Sequence, residues 1–112
     1  SISKPLATET EKLEKKSLVS YIYVGPPLKA YQQKYGTEPR IQLNDQFAVL
    51  EDIDQYITSE REKLDENERP LMTVSLKVDE FTKMGIVQDI KMELRKSQAL
   101  KINYSSRKEV QE

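Results

Sequence analysis

Residues 72–106, MTVSLKVDEFTKMGIVQDIKMELRKSQALKINYSS, decide how this chain folds. Over 72–78, apolar Met72, Val74, Leu76 and Val78 alternate with Thr73, Ser75 and Lys77, the period of a strand with one buried face. Asp79 and Glu80 break that alternation. From Lys83 onward, Ile86, Val87, Ile90 and Leu94 share one helical stripe about 100° wide, and Met92 lies off it. Thr82 is the predicted N-cap, with Phe81 and Ile86 placed to staple the first turn. Arg95 and Lys96 suit the negative C-terminal end of the helix. After Gln98 and Ala99 the alternation returns, Leu100, Ile102 and Tyr104 against Lys101 and Asn103. The unit is therefore βαβ, and two strands sharing a sheet across such a connection run parallel with a right-handed crossover.

Upstream the signals are shorter. Residues 1–16 are polar and poor in bulky apolar side chains, which predicts a flexible linker. Residues 17–24 are rich in Val, Ile and Tyr and predict a strand, with Leu18, Ser20, Ile22 and Val24 on one face and Val19, Tyr21 and Tyr23 on the other. Gly25, Pro26 and Pro27 end it. Pro27 suits the first turn of a short helix over 28–35, stopped by Gly36, whose Leu28, Tyr31 and Tyr35 are expected to pack onto the domain. Residues 40–44 predict a second strand antiparallel to the first, Asn44 and Asp45 a turn or helix cap, and Leu50, Ile53, Ile57 and Leu64 the inner face of a helix with Phe47 near its start. Residues 59–69 are mostly charged and are expected to be a solvated extension ended by Pro70. The economical assembly is α+β, a two-layer sandwich with a small mixed β-sheet and two main helices on one face. Its bounds are residues 17–106, with 107–112 as a C-terminal tail.

At 112 residues, one domain with a modest core is expected. A third of the residues are charged, yet the net charge is only −1, which gives no general pull toward nucleic acid or acidic membrane. Cysteine and histidine are both absent. That removes disulfides, thiolate metal sites and the commonest near-neutral acid–base group. No stretch approaches the roughly 20 apolar residues of a membrane span, and no signal-peptide pattern is present.

The run KMGIVQDIKMELRKSQALKINYSS resembles the C-terminal half of the ExbD/TolR family of biopolymer-transport proteins, particularly its Bacteroides-type members. There a Lys-Met-Gly-Ile-Val helix start leads into a Leu-Lys-Ile-Asn-Tyr final strand. The resemblance implies the periplasmic domain of a single-span inner-membrane protein, a homodimer that works beside an ExbB-like proton-channel subunit and a TonB-like protein. It also implies an ExbD/TolR periplasmic-domain-like fold, and a proton-responsive Asp in a membrane helix preceding residue 1.

Nothing in the sequence assembles a catalytic centre, and neither cofactor nor metal is expected. Ser105 and Ser106 have no histidine to activate them, and Gly25, Gly36 and Gly85 are scattered rather than gathered in a phosphate-cradling loop. Asp79 and Glu80 read as turn or cap carboxylates, and Asp52 and Asp54 as helix-surface charges. The candidate site is a strand, Leu100, Lys101, Ile102, Asn103, Tyr104 and Ser105. Its exposed edge would pair with another chain, with Leu100, Ile102 and Tyr104 holding the register. A generic peptide-binding domain would use the same edge. A single-stranded RNA-binding module would instead use Tyr21 and Tyr23 beside Lys77 and Lys101 on the open sheet face.

Overall fold

The computed structural model describes residues 16–107. All but the last residue of the expected linker, and residues 108–112 of the expected tail, lie outside them. In chain order the elements are β1 (Val19–Gly25), a 3-10 turn (Lys29–Tyr31) running into α1 (Gln32–Tyr35), β2 (Arg40–Leu43) and β3 (Gln46–Ala48). A second 3-10 turn (Leu50–Asp52) leads into α2 (Ile53–Glu62), followed by β4 (Thr73–Asp79), α3 (Met84–Lys96) and β5 (Ile102–Arg107). The strands make one mixed sheet in the order β3-β2-β1-β4-β5. β1, β2 and β3 are antiparallel neighbours, whereas β4 is parallel to β1 and β5 is parallel to β4. The chain is thus the expected α+β sandwich, and its C-terminal third the expected parallel βαβ unit.

One apolar cluster lies between the layers. Ile22 and Val24 of β1, Ile41 and Leu43 of β2, and Val74, Leu76 and Val78 of β4 meet Ile53, Tyr56 and Ile57 of α2 and Val87, Ile90 and Leu94 of α3. The two-residue strand period and the helical stripe thus put every long apolar run on one interface. Leu50, Leu64, Ile86 and Ile102 close its rim.

Polar side chains fix how the helices sit. The Leu18 carbonyl accepts the Thr73 N–H, so the carbonyl of Tyr21, three residues on, points the other way, toward β2. But β2 ends at Leu43, opposite Ile22. The Tyr56 hydroxyl takes that carbonyl at 2.8 Å, and burial, helped by the Glu60 carboxylate, pushes its pKa up to about 12. Ser20 donates to Glu60 Oε1 at 2.9 Å, tying β1 to α2. Ser97, just past α3, donates to Asp54 Oδ1 at 2.7 Å while its carbonyl accepts from Arg61 at 2.8 Å. Asp54 and Arg61, expected as solvated charges, thereby lock the two helices together.

Three local expectations are corrected. Asn44 and Asp45 both have positive φ, 50° and 65°, as a two-residue type I′ hairpin turn requires. The chain therefore turns back into β3, with Leu43 opposite Gln46, and Phe47 belongs to a strand instead of a helix start. Thr82 is buried and Lys83 takes the N-cap position of α3. The Asp79 carboxylate receives the Phe81 N–H at 3.0 Å and shapes the turn, swinging Phe81 outward to 81% exposure, so no staple forms. Around α1, only Tyr35 packs, edge-on against Phe47 with ring centroids 4.9 Å apart. Leu28 and Tyr31 stay exposed because the segment between Pro27 and Gly36 is a 3-10 turn followed by one short α turn, not a continuous helix with one face toward the sheet.

Candidate partner-binding edge

β5 ends the sheet, and its placement follows from how α3 stops. Ser97 is the C-cap, Gln98 adopts φ 64°, and the Ala99 and Gln98 N–H groups bond back to the Leu94 and Arg95 carbonyls at 2.8 and 3.0 Å. This is a Schellman turn with glutamine where glycine is usual. It buries Ala99 and throws Leu100 outward to 73% exposure. Leu100 therefore does not hold the register as expected, since it precedes the strand instead of joining it.

The backbone of β5 has one used side and one outward side. The Lys101 carbonyl accepts the Val74 N–H at 2.8 Å, so the peptide groups of Lys101, Asn103 and Ser105 face β4. Those of Ile102, Tyr104 and Ser106 face away, and among the described residues no strand lies there. The side chains divide differently. Ile102 and Tyr104 stand beside Val74 and Leu76 on the helix side, while Asn103 and Ser105, with Lys101 before them, lie on the open face.

Between α3 and β5 runs a groove of about 340 Å³ lined by Lys91, Arg95, Leu100, Ile102 and Tyr104. Lys91 Nζ lies 5.0 Å from the centre of the Tyr104 ring, and Tyr104 remains 41% exposed. Of the six residues singled out from sequence, Leu100, Ile102 and Tyr104 come together in this groove, and Lys101, Asn103 and Ser105 do not. Lys91 and Arg95 were missed. Their signal was the four-residue spacing that sets two cations on the flank of the helix leading into an edge strand.

The open face is a second surface. Tyr21 and Tyr23 stack with centroids 6.1 Å apart and planes 15° from parallel, and Lys77 Nζ lies 5.3 Å from the Tyr21 ring centre. Arg40 covers Phe47 and Tyr35 at 5.0 and 5.5 Å. Asp52 receives the Val49 N–H at 3.0 Å, a cap for the helix start, and Asp54 accepts from Ser97. Asp79 Oδ1 and Thr82 Oγ1 are buried without partners, and no metal-holding cluster of carboxylates occurs among the described residues. Among those residues no helix is long and apolar enough to cross a membrane. Comparison with models of known families, with curated proteins and with solved structures finds no match to this chain.

Proposed function

We propose that this chain is the periplasmic domain of an ExbD/TolR-like subunit in a proton-driven inner-membrane motor. It catalyses nothing and carries movement from an ExbB-like channel subunit to a TonB-like protein that energises outer-membrane transport. The observation that supports this is the run over 84–106, whose resemblance to that family covers α3, its terminal turn and β5 as one continuous unit. Edge strands with outward peptide groups are suited to pairing with another chain, and here the edge belongs to the resembling segment. Proton flow would shift the membrane helices, the segment before residue 17 would pass on the displacement, and the folded domain would hold or release its partner. Homodimerisation is implied by the resemblance alone.

These 112 residues contain no cysteine, so Lys101→Cys and Asn103→Cys place the only thiols of this domain beside the edge. Disulfide or bifunctional cross-linking in cells should capture a TonB-like protein or a second copy at these sites and not at Gln55→Cys on α2. The intact gene should also encode one apolar span of about 20 residues, with an acidic residue within it, ahead of this domain. Absence of that span would end the motor reading.

The stacked Tyr21 and Tyr23 under Lys77 favour a second reading, a single-stranded RNA platform on the open face. It predicts salt-dependent binding of oligoribonucleotides that Tyr21→Ala abolishes; the motor reading predicts none.

A further inference from the structure

Among the described residues, the groove between α3 and β5 carries one sign of charge: Lys91 and Arg95 stand on its helical wall, no carboxylate lines it, and neither cation has a carboxylate partner. Its floor is apolar, from Ile102 and the ring of Tyr104, with Leu100 at one end. Along its outer rim run the outward peptide groups of Ile102, Tyr104 and Ser106.

We propose that this groove receives an extended peptide segment that adds as a sixth strand outside β5 and carries acidic side chains facing Lys91 and Arg95. This rests on the edge-pairing role proposed above and names the chemistry of what pairs there. The charge on the helical wall selects the occupant. A second copy of β5 laid along the first would bring two Lys91 and two Arg95 side chains together, with only Ile102, Tyr104 and Ser106 on the helix side of its own strand to meet them. Like charges brought together at a pairing edge oppose association. An acidic strand answers them.

Spacing narrows the pattern further. Residues four apart on a helix are separated by about 6 Å along its axis, and alternate residues of a strand by roughly 6.6 Å. Two acidic residues flanking one intervening residue therefore match Lys91 and Arg95, and an apolar residue two places further along covers Leu100 or the ring of Tyr104. The recognised segment reads apolar, any, acidic, any, acidic, in either chain direction.

The test leaves the protein fold untouched by varying the peptide. The probe is the acetylated, amidated heptapeptide Thr-Val-Thr-Glu-Thr-Glu-Thr, titrated into the isolated chain at low ionic strength and followed by backbone amide resonances. We expect shifts concentrated on Ile102, Tyr104 and Ser106, slowed hydrogen exchange at those amides, and binding that weakens with added salt. The analogue with Gln for both Glu should bind roughly tenfold more weakly, and N-methylation of the peptide groups that face β5 should abolish binding. The double variant Lys91→Glu with Arg95→Glu should prefer the analogue carrying Lys in place of Glu. Equal affinity for the Glu and Gln peptides, shifts confined to the Tyr21 and Tyr23 face, or dimerisation through β5 in sedimentation experiments would each overturn the proposal. None of these outcomes touches the motor reading, which stands or falls on cysteine capture in cells and on the membrane span.

Discussion

The two ends of the sheet are finished in opposite ways. At one end β3 is only three residues long, and Tyr35, Phe47 and Arg40 stack beside it on the open face. Short length is one way in which folded proteins discourage strand addition at an edge. At the other end β5 runs six residues, flanked by a groove and by the exposed Leu100 and Tyr104. The contrast teaches that the two edges of this sheet are not equivalent: one offers three residues for pairing and the other six.

The largest expected effect separates core from edge at the point where α3 hands over to β5. Leu94→Ala should lower the free energy of urea unfolding by about 2–5 kcal/mol, because its side chain is wholly buried. Leu100→Ala, six residues on, should change it by less than about 0.5 kcal/mol. Equal losses would mean that the outer edge is packed after all.

A proline pair tests the two sides of the β5 backbone. Asn103→Pro removes an N–H facing β4, whereas Tyr104→Pro removes one facing outward, so the first should cost about 1–3 kcal/mol more than the second. Tyr104→Pro should also block capture of any partner strand while the domain stays folded. If both cost the same, the outward peptide groups are already paired.

On the antiparallel side of β1, Tyr56→Phe should cost about 1 kcal/mol through loss of its bond to the Tyr21 carbonyl beyond the end of β2. The pH dependence has a defined sign. The folded pKa of about 12 lies above the ordinary 10.0, so folding favours the protonated phenol. Its contribution is complete below pH 10 and lost as pH rises through 12. Chemical denaturation at alkaline pH should show this loss in the natural chain and not in the Phe variant.

The smallest effect is a gain. Gln98 holds φ 64° in the turn that launches β5, a conformation that glycine adopts without Cβ strain. Gln98→Gly should therefore raise the melting temperature, by the equivalent of about 0.5–1 kcal/mol.

What the sequence disclosed follows from the range of each signal. The βαβ unit was legible because alternation in β4 and the stripe in α3 extend over several periods, and both place their apolar residues on one interface. β3 was hidden because three residues carry no period, although two turn-forming residues in succession, Asn44 and Asp45, were its available sign. Thr82 misled because the nearby Asp79 carboxylate takes the Phe81 N–H of the same turn while Thr82 itself is buried. At the edge, the strand was visible from sequence, but the cations above it were not. Lys91 and Arg95 acquire meaning only when α3 is laid beside β5.

Parallel pairing on both sides of β4 has a mechanical consequence. β1 begins level with the start of β4, and β5 finishes level with its end, so tension drawn between the beginning of β1 and the end of β5 runs along the strands. Both ladders are then loaded in shear, with many hydrogen bonds sharing the force at once, whereas an antiparallel pair pulled from adjacent ends unzips one bond at a time. A tug applied through these two points shears both parallel ladders instead of peeling them apart.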